Sequence, residues 1–428
     1  MRSTSTVTAA LHAGATETTA VTEFGAAVLR WCEDNGVNQV DLADEAGLHR
    51  STLSRVIHGQ RDATEAMVTA LDGVMRTGGR LAEVAERSNQ HRATTRTIPA
   101  ARRRPVPAQL PAVCGTLHGR EQELAALAAC GPAPGLRLCL DGLPGVGKTT
   151  LAVHHAHRLS TAYRSGTVWA DLRGHQLGGP ADPSELLGDF LATLGLEVPD
   201  GLEARKRAWR SATWASRLLI VLDDARSAEQ ITPLLPGGTG CAVLITSRYR
   251  LSSVMAGAGV QQFTVAPLRR AQSIELLRAR LGNRVDAEPA TAGRVAELCA
   301  DVPRAVSLAA ERLSVHPEIS LDVLLDEHED RWALTEIADE PGCSMRATLR
   351  RFYNALPAQH RRAWRVLGAA GGRMTSAELA ENTGWAPGDT RQVLDGLVLA
   401  HLLTRRETTW EMNELIAAWG AHLHTHNT

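Results

Sequence analysis

The sequence predicts a multidomain chain: an all-α block, an α/β block on a parallel sheet, then helices closed by a small strand-bearing unit. Three observations carry this. From Glu23 to about Arg87 apolar residues recur at helical spacing between short loops. Over 114–268 apolar runs bounded by Gly and Pro alternate with helical patterns, as in a parallel α/β sheet. After about Arg269 the strand-like runs give way to helices.

Composition sets the outer limits. With 428 residues, 44% hydrophobic and 22% charged, there is material for about three packed domains. The net charge is −1, so any nucleic-acid binding must come from a local basic surface. Aromatics at 4% argue against a base-stacking platform for single strands. The cysteines (Cys32, Cys114, Cys130, Cys139, Cys241, Cys299 and Cys343) are odd in number and lack a C-x-x-C pair, which fits reduced thiols in the cytoplasm. The longest strongly apolar run, Leu218 to Leu222, is far too short to cross a bilayer, so no membrane partner is expected. Met1 to Thr22 is rich in Ser, Thr and Ala without the apolar core of a signal peptide, and reads as a disordered tail. No repeat of 20–50 residues is found.

The first block is expected over 23–87. Within it, VNQVDLADEAGLHRSTLSRVIHGQRDAT has helix-turn-helix form. One helix runs from Gln39 to Ala46 with Leu42, Ala43 and Ala46 inward; Gly47 makes the turn and Leu48 plugs the gap. The next starts near Arg50 and buries Leu53, Val56 and Ile57. That leaves Arg50, Ser51, Thr52, Ser54 and Arg55 outward, donors suited to base edges and phosphates, with Gln39 placed for a backbone phosphate. These residues resemble the Cro/XRE-type helix-turn-helix family over about Glu23 to Glu86, which implies double-stranded DNA as partner, bound as a dimer. The block could instead be a helical bundle used for protein contact. Residues 88–113 carry Arg92, Arg96, Arg102, Arg103 and Arg104, several prolines and no acid, and read as a basic linker.

Asp141 to Thr150 reads DGLPGVGKTT, matching G-x-x-x-x-G-K-[ST]. Of the 46 lysines and arginines only Lys148 and Lys206 are lysine, a bias fitting a GC-rich bacterial genome. Lys148 stays lysine where a compact charge on a thin stem must reach β/γ-phosphates. Gly142, Gly145, Val146, Gly147, Lys148, Thr149 and Thr150 are the candidate phosphate contacts, with Thr149 a ligand for Mg²⁺. Leu136 to Leu140 is the preceding strand. RLLIVLDDA (Arg217 to Ala225) is a buried strand ending in Asp223, placed to hold Mg²⁺, and Asp224, placed to orient or deprotonate the attacking water. Lys148 and Asp224 are therefore the candidate catalytic residues. Ala242 to Thr246 is a third strand, and Arg248 beyond it can reach a γ-phosphate. Thr167 to Gly174 is a further core strand, with Arg173 near its end.

Together these elements resemble the NB-ARC branch of the STAND signalling ATPases, from about Cys114 to the carboxyl terminus. The resemblance implies ATP/ADP and Mg²⁺ as cofactors. It divides the chain into a P-loop NTPase domain with a parallel sheet (114–268), a helical lid domain (269–340) and a winged-helix domain (341–428). LHGREQEL (Leu117 to Leu124) matches the entry motif and places Gly119 and Arg120 near adenine and sugar. ELCADVPRAVSLAA (Glu297 to Ala310) is similar to the G-L-P-L-A helix whose proline packs on adenine; Pro303 is kept, while Asp301 and Arg304 replace Gly and Leu. From about Leu356, three helical stretches precede a strand pair near Leu402 to Arg405 and Thr409 to Met412. The family's Met-His-Asp triplet, whose His holds the ADP β-phosphate, is here Met412, Asn413 and Glu414. Asn donates a hydrogen bond without charge, so ADP is expected to be held less firmly, by about 1 kcal/mol.

The functional expectation is an ADP-off, ATP-on transcriptional regulator that self-associates on binding ATP, hydrolyses it slowly at most, and takes its input from an unidentified sensor partner or from nucleotide ratio. The alternatives are a signalling or defence scaffold whose first block binds protein, and a replication-initiator-like AAA+ ATPase. His422, His424 and His426 read as a solvated tail; His154, His155 and His157 read as packing or surface residues.

Overall fold

The computed structural model describes residues 23–58, 63–95, 106–113, 115–176, 178–251, 257–327, 331–336 and 344–426. The expected tail, and Arg96 and Arg102 to Arg104 of the linker, lie outside them. The chain separates into two compact units, 1–103 and 104–428.

The first unit holds five helices: α1 (Glu23–Asn35), α2 (Gln39–Glu45), α3 (Arg50–Ile57), α4 (Glu65–Met75) and α5 (Arg80–Thr95). Asn38 caps α2 by accepting from the Val40 and Asp41 N–H groups at 2.9 Å, and His49 caps α3. Phe24, Val28, Leu42, Leu53, Ile57 and Leu71 form the core. Gly25 is required where α1 meets the end of α3, because a Cβ there would lie 2.1 Å from the Ile57 carbonyl oxygen. Gly47 turns at φ +64°, and Leu48 N–H returns to the Ala43 carbonyl at 2.8 Å. Helix α5 continues past Arg87 into the segment read as linker.

The second unit begins with α6 (Glu121–Ala129) and a five-stranded, all-parallel sheet in the order β2-β3-β4-β1-β5. The strands are β1 (Arg137–Asp141), β2 (Gly166–Asp171), β3 (Leu218–Ala225), β4 (Ala242–Ser247) and β5 (Gln261–Thr264). Helices α7 (Lys148–Ser160), α8 (Pro183–Thr193), α9 (Leu202–Thr213) and α10 (Ala228–Ile231) make the crossovers. Strands β1, β3 and β4 are mostly buried and mainly apolar, as expected of strands covered on both faces, with their acidic and hydroxyl residues gathered towards the carboxyl ends. The end of the expected linker is part of this fold: Ala108 bridges Thr167 in parallel, with Thr167 N–H to the Pro107 carbonyl at 2.7 Å. It extends the β2 edge, where proline is tolerated.

Downstream lie α11 (Arg270–Leu281), α12 (Arg284–Ala287), α13 (Pro289–Leu298), α14 (Pro303–Ser314), α15 (Leu321–Glu327), α16 (Arg331–Leu334) and α17 (Met345–Ala355). The last part comprises α18 (Ala358–Ala369), α19 (Ser376–Thr383), α20 (Pro387–Leu399) and α21 (Glu414–His426). It also carries an antiparallel sheet β6-β8-β7 from β6 (Arg373–Thr375), β7 (Thr404–Arg406) and β8 (Thr409–Glu411). The three helical stretches and the strand pair stand where the sequence placed them. Strands β5 and β6 were not foreseen.

Candidate nucleotide site and helix-turn-helix face

Strand order builds the site. Because β4 lies between β1 and β3, its end stands between the phosphate loop after β1 and the acidic pair on β3. Open parallel sheets place ligands at the carboxyl ends of such strands.

Residues 142–147 curl from β1 into α7. Gly142 adopts φ +145°, and a Cβ there would lie 2.5 Å from the Val265 carbonyl oxygen. Gly147, at φ +95°, caps α7, whose amino-terminal N–H groups carry the helix's positive end. Lys148 is buried and donates to the Gly142 and Leu143 carbonyls, both at 2.8 Å. Burial first, then the nearby Arg248 charge, lower it to about 7 against the pull of Asp224, Asp223 and Asp141. Thr149 donates to Asp223 Oδ1 at 2.8 Å and Thr246 donates to the same oxygen at 2.6 Å. Burial raises Asp223, and these two hydroxyls oppose it. Thr149 and Asp223 thus stand together as the sequence requires of a Mg²⁺ pair. Thr150 is exposed on the first turn of α7.

Asp224 is held by two neighbours. It sits at φ +52°, and its Oδ1 accepts from His175 Nδ1 at 2.9 Å and from Arg248 Nε at 3.2 Å. Burial pushes its carboxyl up, but the His175 hydrogen bond and the Arg248 charge outweigh it and hold Asp224 at about 2. The geometry makes Asp224 an anchor for Arg248. His175 was not singled out by sequence, since nothing in RGHQ marks it. It forms a three-ring cluster with Tyr249 and Phe352, with ring centroids 5.5 and 5.4 Å away. Arg248 also rests over the Phe352 ring at 5.9 Å. Arg173, at φ +51°, is exposed.

The adenine-side candidates form a frame around the loop. Arg120 is buried and bonds the Val146 carbonyl at 2.9 Å and Glu123 at 2.5 Å. Gly119, at φ +71°, lies against α11, where a Cβ would be 2.8 Å from Gln272 Cβ. Gly145 accepts from Arg304 N–H at 3.1 Å, which brings the loop onto the start of α14, where Pro303 is the first residue. Asp301 adopts φ +57°, which explains why a glycine is expected there and why Asp, tolerant of this region, serves. Asn413 Oδ1 accepts from Leu415 N–H at 3.1 Å at the start of α21, and its Nδ2 reaches the Ala300 carbonyl at 3.4 Å.

His155 is buried, and burial lowers it to about 4; His157 contacts the Pro111 carbonyl at 2.8 Å. His422 stacks on Trp419 at 5.4 Å, so this histidine at least is packed rather than solvated. No group of three or more metal-ligating side chains occurs among the described residues.

In the first unit, Arg50, Ser51, Ser54 and Arg55 lie exposed on α3 and Thr52 is half-buried. Gln39 is half-buried at the first turn of α2. Ser51 is already engaged by His49 Nδ1 at 2.7 Å, which leaves the arginines and Ser54 the freer donors.

Comparison with known proteins agrees with both halves. Residues 29–81 match the helix-turn-helix family model, so the first unit contains a helix-turn-helix domain. The regulatory protein AfsR of Streptomyces coelicolor is 36% identical over 325 residues, 73% of this chain and 32% of that protein. AfsR of Streptomyces griseus is 35% identical over 274 residues, 62% of this chain and 28% of that protein. The chain therefore spans about a third of the length of these relatives. The Walker-type ATPase PABY2304 of Pyrococcus abyssi superposes with a TM-score of 0.52 at 14% identity, covering 71% of this chain and 95% of its own. The α/β part has the fold of a P-loop ATPase.

Proposed function

We propose that this chain is a nucleotide-gated, DNA-binding transcriptional regulator of the STAND type, compact with ADP and self-associating with ATP. The observation that carries the reading is Lys148: a buried ammonium in a glycine-rich loop, satisfied by two carbonyls and depressed to about 7. A cation kept at such a cost is explained by an anion it is built to receive. Arg248 supports the reading, because its buried Nη1 has no hydrogen-bond partner among the described residues.

On this reading Lys148 and the N–H groups of 145–149 bind the phosphates, and Gly119, Arg120 and Pro303 border the base and sugar. Bound Mg²⁺ supplies charge neutralisation, with Thr149 and Asp223 to hold it. Arg248 reports the γ-phosphate, while Asn413 joins the 341–428 block, read as a winged helix, to the turn before Pro303. The helices of 269–340 serve as the lid. Moving such a switch from 1:99 to 99:1 needs about 5.5 kcal/mol of differential binding, within reach of a few charge-assisted phosphate contacts. Hydrolysis is then a slow timer. The helix-turn-helix binds double-stranded DNA, strongly only when two copies are paired. The protein acts in the cytoplasm, with any sensor supplied by a partner.

Light scattering on the full chain tests the gating: a monomer with ADP and a larger assembly with a non-hydrolysable ATP analogue are expected. Equal mass in both states would overturn it.

A further inference from the structure

Asp224 offers Arg248 only part of itself. Arg248 approaches through Nε at 3.2 Å, side-on, and its Nη1 is buried without a partner among the described residues. Arginine and carboxylate otherwise favour a fork, two parallel N–H···O bonds that occupy both groups. His175 competes for the oxygens such a fork would need. Its Nδ1 bonds Oδ1 at 2.9 Å, and its backbone N–H bonds Oδ2 at 3.2 Å. The imidazole is fully buried and packs against Tyr249 and Phe352, which also touch each other. Gly174 allows the approach, because a Cβ there would lie 2.4 Å from the Asp224 carbonyl oxygen.

We propose that His175 is a positioning residue for γ-phosphate selectivity: by engaging Asp224 it keeps Arg248 bound through Nε, with Nη1 left for a phosphoryl oxygen. This rests on the nucleotide reading above and adds to it a residue that touches no nucleotide itself. Removing the imidazole donor lets Arg248 turn and take Asp224 bidentately, which withdraws the charge from the phosphate. ATP then loses its advantage over ADP, while ADP, which lacks the γ-phosphate, is unaffected. Phe352 belongs to α17, so the same arrangement ties the selectivity to a helix outside the sheet.

The test compares H175N with H175L in the full chain, measuring ATP-analogue and ADP affinities by calorimetry. Both variants lose the ring, and only Asn keeps a donor near the Nδ1 position. H175N is expected to retain the ratio of ATP to ADP affinity, and H175L to lower it about tenfold with ADP affinity within twofold of wild type. Where the small residues do not fold, H175F keeps the ring in its slot without a donor and is expected to behave as H175L. A donor-less variant that binds ADP and keeps the wild-type ratio overturns the proposal. Wild type that binds neither nucleotide would instead overturn the reading beneath it.

Discussion

His401 Nε2 lies 3.1 Å from Oδ1 of Asp141, and the Asp141 carboxylate is fully buried at the end of β1, one residue before the phosphate loop. Neither Asp141 oxygen nor His401 Nε2 makes a directed hydrogen bond among the described residues, so each relies on the other for polar contact. Arg250 N–H meets the Leu399 carbonyl at 2.7 Å beside it, so the end of α20 docks on the nucleotide-binding part at two points. Removing one partner leaves the other buried polar group unsatisfied. H401A is expected to destabilise the apo protein by about 2 kcal/mol in urea unfolding, and D141N/H401A by less than the sum of the single losses. Additive losses would show that the two groups do not interact.

Lys148 gives a pH signature. Its folded value of about 7 lies below the ordinary 10.5, so between those pH values the unfolded chain holds a proton that the folded chain lacks. The apo protein therefore gains stability as pH rises through that window. A phosphate beside the amine restores its charge. Nucleotide binding at pH 9 is expected to take up about one proton, measured by calorimetry in buffers of different ionisation enthalpy, and the uptake should fade by pH 6. K148M should abolish the effect; equal uptake at both pH values would contradict it.

Asn413 predicts a weaker ADP lock. A histidine there would add charge to the donor, so N413H should slow ADP release about fivefold in a stopped-flow displacement experiment. An unchanged off-rate would end that explanation.

On α3 the exposed arginines carry the DNA prediction. R50E/R55E should lose duplex binding while nucleotide-dependent assembly persists. R50A or R55A alone should make the slope of log affinity against log salt shallower by about one. Duplex binding that survives the double reversal would favour a protein-binding role for this domain.

What the sequence made legible was local. The phosphate loop, the β3 acidic pair and the helix-turn-helix each lie in one short stretch with its own pattern, and the structure has all three where that pattern put them. What it hid depends on distant residues meeting. His175 meets Asp224, Tyr249 and Phe352, which lie far along the chain, so its neighbourhood has no local pattern. His401 was invisible for the same reason. Strand β5 is half-exposed and lacks both a buried run and a clean alternation, so periodicity had nothing to register. Pro107 to Gln109 read as tether because an edge strand this short needs only two backbone bonds.

On the proposed function, Lys148 and its loop bind an adenine nucleotide. Titrating ADP and ATP with Mg²⁺ into the folded full chain by calorimetry measures it directly. The account predicts saturable binding of both nucleotides and its loss in K148A; a folded wild-type protein that binds neither would contradict it.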